Sequence, residues 1–186
     1  MSKSPKSAKA VKAPLKASAT AARPARAAAA GKIEKRLAAL GVVLPETAPP
    51  LANYAPTALS ARQLVVSGQL PFGADGKIAP VHIGKLGETV FHEAGRAAAR
   101  QCAINILAQA QAALGSLDRI KRCVRLGGFI NCRSDFNALP AIMNGASDLM
   151  VDVFGEAGRH ARSTVGVAQL PLDAAVEVEA LFELRA

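Results

Sequence analysis

Ala161-Arg162-Ser163-Thr164-Val165-Gly166-Val167-Ala168-Gln169-Leu170-Pro171, followed by Val176-Glu177-Val178-Glu179-Ala180, reads as an apolar strand, a turn and a second strand. Leu170-Pro171-Leu172-Asp173 supplies the turn, because proline presets one backbone angle and aspartate hydrogen-bonds its own backbone. The expected unit is a hairpin, with Arg162 opening one strand and Glu177 fifteen positions later on the strand that returns. At one end of such a ribbon a fixed cation stands beside a carboxylate. A guanidinium grips a small carboxylic acid through two hydrogen bonds, and a nearby carboxylate activates water. On spacing alone, a strand-end arginine and a solvated glutamate account for the same residues.

Outward from this stretch, strand and helix patterns alternate. Residues 88–114 place Val90, Ala94, Ala97, Ile104, Leu107 and Leu114 near a 3.6 period, with Gly115 as the stop. Residues 119–131 are β-rich, and residues 140–154 predict a second helix closed by Gly155 and Gly158. Earlier, 54–60 and 63–69 predict two short strands, with Ala61-Arg62 as their turn and Gly68 as a site of close approach. Gly73-Ala74-Asp75-Gly76 is a further turn. Ile33, Leu37 and Leu40 form one stripe of a short helix ending at Gly41, after which Pro45, Pro49 and Pro50 enforce extended chain. The order ββ(β)αβαββ predicts an α+β fold: a mixed sheet with two helices packed on one face.

Charge divides the chain in two. Residues 1–32 hold eight of the 23 Lys and Arg and none of the 14 Asp and Glu, so they carry +8 of the +9 net charge. This Lys-, Ala- and Pro-rich segment buries too little apolar surface to offset its chain entropy and is expected to be a disordered tail. Residues 33–186, at +1, form the expected single folded domain, whose near-neutral surface gives no argument for nucleic-acid binding. Cys102, Cys123 and Cys132 make neither a disulfide framework nor a zinc site, and a reducing cytoplasm fits them. No apolar run reaches membrane-spanning length, and Ala27–Ala30 is too short and too weakly apolar for the core of a secretory leader. His92-Glu93 lacks the second histidine of a helical zinc site, so no metal is expected. His160, two residues before Arg162, can stand beside the pocket, but it reads more simply as a loop histidine. Gly-rich phosphate loops, nucleophile elbows and dinucleotide fingerprints do not occur.

Ala-Arg-Ser-x-Val-x-Val-Ala-x-Leu-Pro followed by Val-Glu-Val-Glu-Ala resembles the signature of the Rid (YjgF-type) reactive-imine deaminases. Asn53-Tyr54, then Leu64-Val65-Val66-Ser67-Gly68-Gln69-Leu70-Pro71, then Ala98-Ala99-Arg100-Gln101-Cys102-Ala103-Ile104-Asn105-Ile106-Leu107, are similar to that family's segments in the same order. The likeness runs from about Ala52 to Leu184. It implies a chorismate-mutase-like fold and a homotrimer whose subunits cover the open sheet face and share clefts between them. It implies that Arg162 holds a substrate carboxylate, Glu177 positions water, and Tyr54, Ser67 and Gly68 shape the pocket. Glu179 shares the strand face of Glu177 and is its rival. The family's helix asparagine has no clean counterpart. Aligning on Asp135-Phe136 puts Pro140 there, whereas counting back from Arg162 lands at Asn144-Gly145, so Asn144 is the candidate. Thr164 stands where the family has cysteine, which marks a divergent branch.

The implied activity is hydrolysis of reactive 2-imino or enamine acids to 2-keto acids and ammonia, without a cofactor. Two other readings compete with it. One is a trimeric module that binds small carboxylates without turnover. The other is a ribonuclease, or a protein that touches nucleic acid nonspecifically through its basic tail.

Removing the residues before 32 is expected to leave assembly and catalysis intact. Duplex DNA binding by the full chain should fall steeply with salt, with a log–log slope of about −0.9 per phosphate neutralised, and should vanish on truncation. Titrations of both forms at two salt concentrations check this, and equal binding by the truncated form would place a nucleic-acid site on the body.

Overall fold

The computed structural model describes residues 31–47 and 53–186. The expectation of a disordered basic tail, for residues 1–30, and that of extended chain at Pro49-Pro50 lie outside the described residues, whereas Lys32, counted in that tail, is helical.

Among the described residues, five strands and three helices form an α+β fold. Helix α1 (Lys32–Ala39) precedes strands β1 (Thr57–Ser60) and β2 (Gln63–Gln69). Helix α2 (His92–Leu114), strand β3 (Ile120–Asn131), helix α3 (Leu139–Phe154), strand β4 (Ala161–Val167) and strand β5 (Val176–Leu184) follow. The sheet order is β1-β2-β5-β3-β4, antiparallel throughout except for the parallel pair β3–β4. The anticipated extra strand after β2 is replaced by a short helical turn, Pro80–His82, and isolated bridges such as Phe72–Ile78.

Local chemistry sets the ends of these elements. Ala61 turns β1 into β2 at φ 50°. Gly115 stops α2 at φ 77°, where its N–H reaches Gln111 O at 2.8 Å, in the left-handed cap that glycine adopts without strain. Pro140 sits in the first turn of α3, where a missing N–H costs nothing.

Both long helices pack on one face of the sheet, α2 against β2 and β5, α3 against β3 and β4. The core between them holds Leu64, Val66, Cys102, Leu107, Leu126, Met143, Val178 and Phe182. Cys102 and Cys123 are buried there, as expected of small hydrophobes. A smaller cluster of Leu70, Leu170 and Ala174 packs with Phe129 and Val167 on the other face. The two helices touch closely at Gly145, where an added Cβ would lie 1.9 Å from Arg96 O.

The last two strands correct the hairpin expectation. β4 and β5 are not paired, because β3 lies between them and bonds to both. The Leu-Pro-Leu-Asp segment does turn, with Leu172 and Asp173 at φ 56° and 54°, but it carries the chain from the sheet edge across β3 to the centre. The cause is α3. A helix between β3 and β4 lets the chain return to the same end and run parallel to β3, which uses the side of β3 that borders β4.

Gly145→Ala should destabilise the fold by about 1–3 kcal/mol through overpacking, outweighing the roughly 1 kcal/mol that alanine gains over glycine in a helix. Denaturant titration measures it. A stabilised variant would show that the helices do not meet at this position.

Candidate functional site

β4 is an edge strand, and its register with Leu126 and Ala180 puts Arg162 on the helix-covered face. There α3 presents Asn144 and Ser147, three apart and hence neighbours on one helix side. Arg162 Nη1 donates to Asn144 Oδ1 at 2.9 Å and to Ser147 Oγ at 3.1 Å. Both hydrogens of that nitrogen are therefore engaged. Nε and Nη2, the side edge of the fork, have no partner among the described residues. Ser147 Oγ also lies 3.1 Å from His160 Nε2, and His160 Nδ1 lies 2.6 Å from Gly158 O. Burial first, and the Arg162 charge as well, push the His160 imidazole below its ordinary pKa, against an opposing pull from the Gly158 carbonyl. Thr164, two residues along the same strand face, has a buried hydroxyl without a hydrogen-bond partner among the described residues.

Glu177 lies elsewhere. It pairs with Phe129, which pairs with Val165, so its side chain is on the open face of the sheet. The expected apposition of Arg162 and Glu177 within one ribbon does not occur: a strand separates them and they face opposite ways. What Glu177 meets is Gly68. An added Cβ there would sit 1.8 Å from Glu177 Oε1, so the carboxylate occupies the space a side chain would fill. Around this point β2 bulges, with Ser67 and Gly68 set between the pairs Val66–Ala180 and Gln69–Val178. Ser67 Oγ donates to Ala55 O at 2.8 Å, which ties the bulge to the segment carrying Tyr54. Tyr54 is 46% exposed. Burial, and then the negative charge of Glu179, hold the Glu177 carboxyl above its usual range.

One chain thus carries two separate clusters. Arg162 and Asn144 meet on the helix side of the edge strand, while Glu177, Gly68 and Ser67 meet on the open face. Ser147 escaped the sequence reading, and His160, weighed there as a neighbour of the pocket, was set down as a loop histidine. The signal for Ser147 was its three-residue spacing from Asn144, and the signal for His160 was its period-two spacing to Arg162. A third polar group also escaped it. Lys85 Nζ donates to Asn131 Oδ1 at 2.6 Å and to Ala168 O, and Asn131 Nδ2 donates to Asp173 Oδ1 at 2.9 Å. These bonds brace the crossing from β4 to β5 beside a cleft of about 640 Å³. Among the described residues, no group of three His, Cys, Asp or Glu side chains is placed to hold a metal ion, and no helix is long and apolar enough to cross a membrane.

A family model described as "YjgF/chorismate mutase-like, putative endoribonuclease" matches residues 34–184. The chain is 49% identical over 157 residues to Protein TCP17 of Trypanosoma cruzi, which covers 84% of this chain and 96% of that protein. It is similar to the crystal structure of the protein Atu1372 of Agrobacterium tumefaciens, described as of unknown function. That likeness has 45% identity and a TM-score of 0.75, and covers 83% of this chain and 94% of the other. It is also similar to a structure from Shewanella oneidensis described as a "putative endoribonuclease", at 39% identity and TM-score 0.79, covering 83% and 100%. The Escherichia coli YjgF product shares the fold at 22% identity and TM-score 0.55, covering 76% and 94%.

In a carbon-detected NMR titration, the Glu177 carboxyl should lose its proton above the usual glutamate range. Glu179→Gln should move the midpoint down, because it removes a like charge that penalises the ionised form. An unchanged midpoint in that variant would leave burial as the whole cause.

Proposed function

Given that this chain belongs to the YjgF/chorismate mutase-like family, we propose that it hydrolyses reactive 2-imino acids, with their enamine tautomers, to 2-keto acids and ammonia. The observation that carries this reading is the Arg162 guanidinium, held on α3 through both hydrogens of Nη1, with its Nε and Nη2 edge unpartnered among the described residues. A planar fork with a free side edge matches a carboxylate in two parallel hydrogen bonds. A 2-imino acid is small, flat and anionic, so gripping its carboxylate also orients the adjacent C=N bond.

In the proposed reaction, water adds to C2 of the protonated imine. Glu177 takes a proton from that water as the C–O bond forms. In the resulting carbinolamine Glu177 returns that proton to the nitrogen, the C–N bond breaks with its electron pair leaving on ammonia, and an oxygen lone pair closes the C=O bond of the ketone while the hydroxyl proton passes to the ionised Glu177 and on to solvent. A carboxyl held above the usual range suits both steps, since it accepts and returns a proton more evenly near neutral pH. Tyr54, Ser67, Gly68 and Asn144 shape the pocket in this reading.

Because Arg162 and Glu177 occupy opposite faces of one sheet, the reading requires two copies of the chain. The open face of one copy, with Glu177, meets the β4–α3 edge of another, with Arg162. The homotrimer implied by the family resemblance provides such contacts. Supporting this, Val65 and Val165 stand on the open face at 44% and 48% exposure, as apolar groups awaiting cover.

The test is production of keto acid from 2-iminopropanoate generated in place by an amino-acid oxidase. Arg162→Ala should abolish pyruvate binding while the fold and assembly persist. Glu177→Gln should keep pyruvate binding and cut turnover by about 10²-fold or more, whereas Glu179→Gln should be mild. Pyruvate binding without acceleration of imine hydrolysis would establish a carboxylate-binding module instead. RNA cleavage without imine hydrolysis would favour the activity named for the Shewanella relative.

A further inference from the structure

We infer that Ser147 and His160 are positioning residues for the carboxylate grip: a hydroxyl–imidazole relay that fixes the rotation of the Arg162 guanidinium. The inference rests on the proposed role of Arg162 in binding the substrate carboxylate.

With His160 neutral, the donors and acceptors leave one consistent arrangement. The Gly158 carbonyl can only accept, so at 2.6 Å it places the His160 hydrogen on Nδ1. Neutral His160 then has a bare Nε2, which can only accept. The Ser147 hydroxyl, 3.1 Å away, donates its hydrogen there. Its oxygen lone pairs are left facing Arg162, and one accepts the second Nη1 hydrogen at 3.1 Å. Asn144 Oδ1 accepts the first at 2.9 Å. All bonds of the relay run in one direction, from guanidinium to hydroxyl to imidazole to backbone carbonyl.

The far end of the relay is fixed by packing. An added Cβ at Gly158 would lie 2.1 Å from Met150 O, so this glycine is pressed against the end of α3. The carbonyl that sets the His160 tautomer is thereby anchored to the helix that carries Ser147 and Asn144. With Asn144 alone, the guanidinium is held at one point and can swing about it. With Ser147 as the second point its plane is set, and the Nε and Nη2 edge is presented before substrate arrives. An arginine that must instead order itself on binding loses affinity through side-chain entropy.

His160 is neutral in this arrangement, so removing it takes away no charge. A weakened grip would therefore report geometry. The experiment measures pyruvate affinity by calorimetry, and KM and kcat with 2-iminopropanoate, in the full-length chain and in Ser147→Ala, His160→Ala, His160→Gln and Arg162→Ala. Melting temperature and oligomeric state are recorded for each. Ser147→Ala and His160→Ala should each weaken pyruvate binding about 3- to 10-fold, the scale of one lost hydrogen bond, with the loss in KM rather than kcat. His160→Gln, whose amide oxygen can accept near the Nε2 position, should restore most of the affinity. Unaltered affinity in Ser147→Ala and His160→Ala, with binding lost in Arg162→Ala, would overturn the relay and leave the grip standing. A His160→Gln variant as weak as His160→Ala, though equally folded, would overturn it too. Unaltered affinity in Arg162→Ala would instead remove the carboxylate grip itself.

Discussion

The parallel pairing of β3 with β4 is the constraint on which the rest of the molecule depends. Leu126, Gly128 and Ile130 stand beside Arg162, Thr164 and Gly166 in register. That register sends Arg162 inward beneath α3 rather than out over the open face. A shift by one residue would exchange the two faces of β4 and take Arg162 away from its helix partners. Among the described residues the other side of β4 has no partner strand, so the arginine sits at the margin of the sheet.

The other face follows from the same arrangement. β5 is flanked by β2 and β3 and alternates strictly, with Val176, Val178, Ala180 and Phe182 in the core and Glu177 and Glu179 outside it. Keeping an ionised group half-buried on a sheet is costly unless something stabilises the charge, and the nearest acidic neighbour worsens matters for Glu177. The fold answers with shape. Gly68 and the bulge around it open a space in which the carboxylate lies, and the Ser67 hydroxyl locks the bulge to the chain before β1. The two clusters therefore differ in kind: a cation fixed by hydrogen bonds on one face, and an acid fitted into a glycine gap on the other.

Much of this was legible in the sequence because local rules govern it. The left-handed stop at Gly115, the turn at Ala61 and the proline opening α3 each follow from one residue's backbone preference. Asn144 was named through the family resemblance, by counting back from Arg162, and not by any rule local to its helix. The pairing of β4 was not legible from its own residues, since a Leu-Pro-Leu-Asp turn serves a hairpin and a crossing equally well. What decides between them is the helix between β3 and β4, a non-local fact. Ser147 was missed, and His160 set down as a loop residue, for a related reason. Neither carries a motif, and each acquires meaning only when the strand start and the helix face are brought together.

The first helix shows the same non-locality in another guise. Gly31 offers α1 no side-chain cap, and the Lys32 and Ile33 N–H groups donate instead to the Asp118 carboxylate at 2.7 and 2.9 Å. In return, Glu34 Oε1 accepts from the Leu117 N–H at 2.9 Å and from Ser116 Oγ at 3.2 Å. A helix of eight residues is too short to persist in water by itself, so α1 owes its order to a turn 86 residues away. The two segments form one cooperative unit, which opens as a whole or stays closed. Charge composition divides the chain after Lys32, but the clasp draws hydrogen bonds from both sides of that division. The last residue of the basic segment and the first of the near-neutral body are thus held by one and the same carboxylate.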